Sequence, residues 1–460
     1  MVISVKNLTT VIDCCLPTAG VGTILCCQLE GAQSILQNNV VYSVPTLADL
    51  PDPTANTGRF IYVNDINEYR YSNCYVWTAD FDTTVEAYAN VLWTWGSNLN
   101  GVLGTGNSNA TSRSSPGTTA GGGITWCQIG GIGYIANALK TDGTLWTWGS
   151  NNYGELGDNS KVNRSSPGTT AGGGTDWCQV SGGIQHTAAV KTDGTLWTWG
   201  CNGQGRLGDN SSVNRSSPGT TAGGGTTWCQ VSLGNIHSAA VKTDGTLWTW
   251  GYNGSGRLGD NSISTKSSPV TTAGGGTTWH QVSLGNIHSA AVKTDGTLWT
   301  WGYNGGGQLG DNSTLARSSP GTTVGGGTTW CQVRSGISHN AAIKTDGTLW
   351  TWGCNSCGKL GNGFTATLRS PGTTAGGGTN WCQVSGGNSN TAAVKTDGTL
   401  WTWGSNVLGQ LGNNSITNRS SPGTTAGGGT NWCQVSAGLT GAGDGSNTAA
   451  ITADQKGFIV

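Results

Sequence analysis

Lys191-Thr192-Asp193-Gly194-Thr195-Leu196-Trp197-Thr198-Trp199-Gly200 is the stretch that decides the fold. Thr192-Asp193-Gly194 reads as a hairpin turn, because Asp-Gly readily takes the positive φ angles of a tight primed turn. Leu196-Trp197-Thr198-Trp199 returns as a strand with both indoles on one face, since side chains alternate, and Gly200 ends it. Upstream, Trp177-Cys178-Gln179-Val180 reads as a strand and 187–191 as its neighbour. Downstream, a polar loop over 202–209 leads to Ser216-Ser217-Pro218, where proline limits pairing and suits an edge strand. Three or four short strands in a unit of this length make one blade of a β-propeller.

The unit recurs. Trp-Thr-Trp-Gly begins at Trp93, Trp146, Trp197, Trp248, Trp299, Trp350 and Trp401, with a first interval of 53 and later intervals of 51. Trp-Cys/His-Gln-Val/Ile begins at Trp126, Trp177, Trp228, Trp279, Trp330, Trp381 and Trp432, always 51 apart. Seven copies of both markers predict an all-β, seven-bladed propeller over 91–460. A small β-rich module over 44–90 and an attachment segment over 1–43 precede it. The first Trp-Thr-Trp-Gly lacks its preceding hairpin, and the last copy runs on to Thr448-Ala449-Ala450-Ile451. A C-terminal strand is therefore expected beside an N-terminal one in a shared blade, leaving no long open edge. Phe458-Ile459-Val460 is a rival for the lane beside residues 91–95.

Composition agrees. The 79 glycines and 22 tryptophans, against 4 phenylalanines and one methionine, describe tight turns with rigid rings supplying buried area. The net charge is −1 and only 10% of residues are charged, below the roughly 25% of ordinary soluble domains. With no clustered Lys and Arg to neutralise phosphates, nucleic acid is excluded as a partner. No run reaches the roughly 20 apolar residues of a membrane helix, so no membrane insertion is expected. The first residues lack a charged segment followed by an apolar core, so no secretory signal is read.

Lys-Thr-Asp-Gly-Thr-Leu-Trp-Thr-Trp-Gly, then Gly-x-Leu-Gly, then Val-Ser-x-Gly-x-x-His, resembles the repeat of the regulator-of-chromosome-condensation family over about residues 91–460. The resemblance implies seven blades around a central channel. It also implies a family of binding scaffolds, which includes a guanine-nucleotide exchanger for a small GTPase and a bacterial protein inhibitor of β-lactamase. Fold alone does not choose among such functions.

Within residues 1–90, a short helix is expected over 29–38, although Gly31 weakens it. Extended entry residues over 45–51 then lead to strands over 59–63, 68–71 and 74–78, a small meander. Ala48-Asp49-Leu50-Pro51, Gly58-Arg59-Phe60-Ile61-Tyr62-Val63 and Asn67-Glu68-Tyr69-Arg70-Tyr71 look like short modules of bacteriophage tail-fibre and other virion proteins.

Six of the 14 cysteines, Cys127, Cys178, Cys229, Cys331, Cys382 and Cys433, share one repeat position, with His280 in the seventh copy. Equivalent sites a blade apart seldom approach the Cα separation of about 7 Å that a disulfide needs, so small packing thiols are expected rather than disulfides or a metal ring. Cys354-x-x-Cys357 has no second pair, and Cys14-Cys15 and Cys26-Cys27 admit inter-subunit packing or linkage. His186, His237, His288 and His339 recur at a position that is Ile135, Asn390 or Asn447 elsewhere, which points to hydrogen bonding within each blade rather than proton transfer. Asp158, Asp209, Asp260 and Asp311 in Gly-Asp-Asn-Ser close turns on backbone amides rather than bind calcium. No catalytic constellation, metal site or cofactor is implied.

The copies differ mainly in loops. Between Gly and Leu-Gly stand Val102, Glu155, Arg206, Arg257, Gln308, Lys359 and Gln410, and after Trp-Gly stand residues that include Tyr252 and Tyr303. Glu155, Arg206, Tyr252, Arg257, Tyr303, Gln308 and Lys359 form a candidate binding rim, since Arg and Tyr are favoured interface anchors. The last copy also carries a six-residue insertion within Leu439-Thr440-Gly441-Ala442-Gly443-Asp444-Gly445-Ser446. The leading expectation is a non-enzymatic virion structural protein, tail-associated or fibre-like and oligomeric in the particle. Its N-terminal segment would dock to other virion proteins while the propeller meets a host-surface protein or glycan. The alternatives are a cytoplasmic regulator binding a small GTPase or other protein, and a glycan-binding or inhibitor propeller.

Overall fold

A computed structural model of the protein describes residues 40–44, 60–63, 68–72, 77–78, 89–108, 111–426, 428–439 and 446–454. The chain divides into two units, Met1–Tyr88 and Ala89–Val460. In the first, strands Phe60–Val63, Glu68–Ser72 and Trp77–Thr78 pair antiparallel in sequence order, the expected meander. A further strand, Val40–Val44, joins Phe60–Val63 in parallel, which the strand pattern did not announce. The helix expected over 29–38, the entry segment over 45–51, the paired cysteines at 14–15 and 26–27, and Phe458-Ile459-Val460 lie outside the described residues.

The second unit is the seven-bladed propeller, seven four-stranded sheets of one design. In the second blade Trp177–Gly182, His186–Lys191, Leu196–Gly200 and Arg215–Thr220 pair antiparallel in that order. The first strand lines the central channel and the fourth forms the periphery. Pro218 falls where the outer pairing loses register, between Gly200↔Arg215 and Thr198↔Gly219, so its missing N–H costs no ladder bond.

Each blade holds three indoles. Trp177 meets Trp197 and Trp199 edge-to-face, both with centroids at 6.2 Å, a favoured aromatic geometry. The clusters they build lie between blades: Trp228, Val231 and Trp250 of the third blade pack on Ala188, Val190 and Leu196 of the second.

Two hydrogen-bond series tie each blade to the next. The buried indole of Trp250 donates to the Arg206 carbonyl at 2.8 Å, and each other blade repeats the contact, ending with Trp95 on Gln410. Gly-x-Leu-Gly supplies the fit: the x residue gives the carbonyl, while Thr198 Oγ1 holds the loop by donating to the Leu207 carbonyl. Gly208, at φ +70°, leaves room for the ring, since a Cβ there would sit 2.7 Å from Trp250 Nε1. At the channel wall, Val231 N–H donates to Gln179 Oε1 at 2.7 Å, and this bond also runs round all seven blades, closing with Ile129 N–H on Gln434 Oε1.

The shared blade forms as expected. Its first two strands, Trp432–Ala437 and Asn447–Asp454, come from the C-terminal side, and its last two, Ala89–Gly96 and Arg113–Thr118, from the N-terminal side. Ala89–Gly96 is flanked by Asn447–Asp454 on one side and Arg113–Thr118 on the other, so that lane is filled.

Replacing Gly208 by Ala is expected to cost roughly 2 kcal/mol or more, because positive φ and the ring face both oppose a methyl group. Urea unfolding followed by tryptophan fluorescence reads this as a lowered midpoint, whereas exposed Gly203, with nothing within 4 Å, should tolerate the same change.

Candidate functional site

Meandering strands sort the connections onto two faces. First-to-second and third-to-fourth connections emerge on one, here the loop face; the Thr-Asp-Gly hairpins and the glycine-rich links between blades emerge on the other.

The hairpin face is regular. Asp193 Oδ1 accepts from the N–H and hydroxyl of Thr195, whose Oγ1 in turn accepts from the Trp197 indole. These bonds hold the Asp193 carboxyl below its ordinary range. Lys191 Nζ lies 4.8 Å and 5.1 Å from the ring centroids of Trp177 and Trp197, a cation–π seat.

The loop face is different. Val162, Val213, Ile263, Leu315, Phe364 and Ile416, one from each of six blades, stand 67–76% exposed just before the outer strand. Leu99, Tyr153, Tyr303 and Val407 are exposed on the same face, whereas Ile124 and Val324 are the exposed large apolar residues of the opposite one among the described residues. Single exposed apolar residues are ordinary; here six recur at one level on one face of the ring.

The expected rim is corrected in part. Glu155, Arg206, Arg257, Gln308 and Lys359 are buried, Tyr252 is half-buried and Tyr303 is exposed. The reason is the indole contact: offering its carbonyl to the next blade draws the loop, side chain included, beneath the turns. Arg206 Nη1 reaches the Asn235 carbonyl at 3.0 Å, Arg257 Nη1 the Asn286 carbonyl at 3.3 Å, and Lys359 Nζ the Ser338 hydroxyl at 2.8 Å. Burial lowers all three from their ordinary values, Arg257 to about 10. The Glu155 carboxylate turns back to accept from Tyr153 N–H, and burial raises it. The insertion before Asn447 falls largely on 440–445, outside the described residues.

The histidines are structural, but their partners lie across blades rather than within them. His186 Nε2 meets Ser238 Oγ at 3.0 Å, and that hydroxyl donates to the Arg206 carbonyl, so the imidazole donates from Nε2. His237, His288 and His339 repeat the link to Ser289, Asn340 and Thr391. The Gly-Asp-Asn-Ser turns close as expected, with Ser160 N–H on Asp158 Oδ1, and Arg164 adds an ion pair at 2.8 Å. No group of three or more His, Cys, Asp or Glu able to hold a metal occurs among the described residues. Cys127, Cys229 and Cys382 pack against the interblade clusters, while Cys178 is exposed. Cys354 and Cys357 are free thiols.

Residues 169–460 match the family model of the RCC1-like domain, and 142–190 match the regulator of chromosome condensation (RCC1) repeat. The chain belongs to the RCC1-like domain family. This RCC1-like propeller is 31% identical over 291 residues to the ultraviolet-B receptor UVR8 of Arabidopsis thaliana, covering 62% of this chain and 66% of the receptor. It is 31% identical over 245 residues to the E3 ubiquitin-protein ligase HERC2 of Homo sapiens, covering 52% of this chain but 5% of the ligase. Among solved structures, yeast RCC1 (Prp20) bound to Kap60 superposes with a TM-score of 0.68 at 17% identity, covering 81% of this chain and 92% of that one. Human WBSCR16 superposes at 0.67 and 20% identity, covering 80% and 100%. Both show a common fold.

Burial holds the imidazoles neutral. His186, His237 and His339 lie well below the ordinary 6.5 and His288 at about 4. The folded state refuses a proton that the unfolded chain accepts, so stability is complete above about pH 6.5 and is lost as pH falls toward 4. His288 alone is expected to contribute on the order of 3 kcal/mol over that window. Thermal melts between pH 7.5 and 4.5 should show the fall, and His288→Asn, the residue type at the sixth and seventh copies, should reduce it.

Proposed function

We propose that the propeller is a non-enzymatic protein-binding scaffold whose partner seats on the loop face. The circle of apolar tips from Val162 to Ile416 carries this reading, because none of these side chains serves a core and the fold gives no reason to place six on one circumference. The buried state of the histidines and the closure of the aspartates into turns support a role without catalysis. Replacing Val213, Ile263 and Leu315 together by Ser should leave the melting temperature unchanged and abolish partner capture. A photo-crosslinking residue placed at 315 in the source cells should give a discrete protein adduct that the triple replacement, with the photo-residue moved to 416, no longer gives. Adducts formed from position 244 on the hairpin face, with none from 315, would reverse the assignment.

Two narrower readings share this scaffold. Yeast RCC1 is seen bound to Kap60 and was studied for its binding to Gsp1p and histones, which supports a regulator of a small GTPase; a nucleotide-release assay over a panel of GTPases tests it. The likeness of Ala48-Asp49-Leu50-Pro51 and Gly58-Arg59-Phe60-Ile61-Tyr62-Val63 to short modules of virion proteins supports a virion-borne display head, tested by mass spectrometry of purified particles.

A further inference from the structure

We propose that the loop-face mouth of the central channel binds an acidic segment of the protein partner, its carboxylates drawn by Arg206, Arg257 and Lys359; this rests on the loop face being the partner's seat.

The three cations are surplus to the fold. At their repeat position the element that works is the backbone carbonyl, and Gln308 in the fourth blade offers it to Trp352 at 2.9 Å as Arg206 offers its own to Trp250 at 2.8 Å. Gln308 also completes its own turn by accepting Gly306 N–H, so a neutral side chain suffices there. Arg206, Arg257 and Lys359 are nevertheless 5%, 3% and 3% exposed, and among the described residues none has a carboxylate partner. Their contacts are a carbonyl, a carbonyl and a hydroxyl, and the Nε atoms of both arginines are buried with no acceptor. A buried cation without a counter-charge is costly, and such groups gather where a charged ligand is received.

Their placement says where that ligand lies. Asn235, Asn286 and Ser338, the residues they touch, sit in the turns that follow the channel-lining strands, so the positive field emerges at the mouth and is focused by it. The channel wall below is glutamine, serine, glycine and aliphatic side chains apart from Arg334. Tyr252 stacks on Arg257 at 4.8 Å, and Tyr303 stands exposed on the same face of the next blade. Nucleic acid fits poorly, since phosphates need exposed rows of cations, and the outer cations Arg164, Arg215, Lys266 and Arg317 already pair with aspartates. A second copy set face to face would bring like charges together.

The test uses the full chain and a fluorescein-labelled octaglutamate peptide read by anisotropy at low salt. Saturable binding is expected, weakened at least tenfold in R206Q/R257Q/K359Q and progressively by sodium chloride. Glutamine at these positions copies the fourth blade, and an unchanged melting temperature confirms that the variant folds. No binding to the wild type, or equal binding by the triple variant, overturns the proposal. So does competition by inorganic phosphate at the peptide's own carboxylate concentration, which would mean a small-anion site, or equally tight binding of a single-stranded DNA oligonucleotide. V213S/I263S/L315S should leave octaglutamate binding intact, so failure of the crosslinking at 315 with peptide binding retained counts against the scaffold reading alone.

Discussion

Each blade of this propeller is finished by its neighbour. The carbonyl at the variable position of Gly-x-Leu-Gly, the indole of the following blade and the glutamine at the channel wall form one coupling, repeated until the last blade meets the first. A buried indole N–H without an acceptor would cost what any orphaned buried donor costs, so the loop has to be where it is. That requirement fixes the second glycine of the motif and draws the preceding side chain inward. The indole contact uses only the backbone of Arg206, Arg257 and Lys359, leaving their side chains to reach the turns at Asn235, Asn286 and Ser338.

Much of the fold is legible because it is periodic. Paired indoles around one threonine, an Asp-Gly turn and a proline in the outer strand are each local signals, and the spacing of 51 multiplies them. What the spacing hides is any bond between copies. Gln179 stands in the same marker in every unit, yet its partner, the Val231 N–H, is 52 residues on, in the next blade. The histidines mislead in the same way. Isoleucine at Ile135 argues for a hydrogen-bonding role rather than proton transfer at that position, but nothing in one unit shows that His186 answers to a hydroxyl of the next.

The candidate site was half legible. Variation between copies pointed to these loops, and Arg206, Arg257 and Lys359 each reach a turn that follows a channel-lining strand, but variation cannot separate an exposed position from one whose backbone is fully engaged. The apolar circumference was missed because its members occupy three adjacent loop positions, Val162, Val213 and Leu315 at one, Ile263 and Ile416 one residue earlier and Phe364 one earlier still, so no single column of the repeat is apolar throughout. Their shared property is exposure, which appears only in three dimensions.

The shared blade has a consequence for synthesis. Trp93 and the Thr452 hydroxyl that accepts its indole proton are 359 residues apart, so one wall of the ring waits until nearly the whole propeller has been translated. Until then Ala89–Gly96 offers a bare strand edge of the kind that recruits other chains. Contacts this remote form slowly, and the newborn polypeptide is most open to mispairing, or to exchanging that strand with a neighbour on the same polysome, just before it is complete.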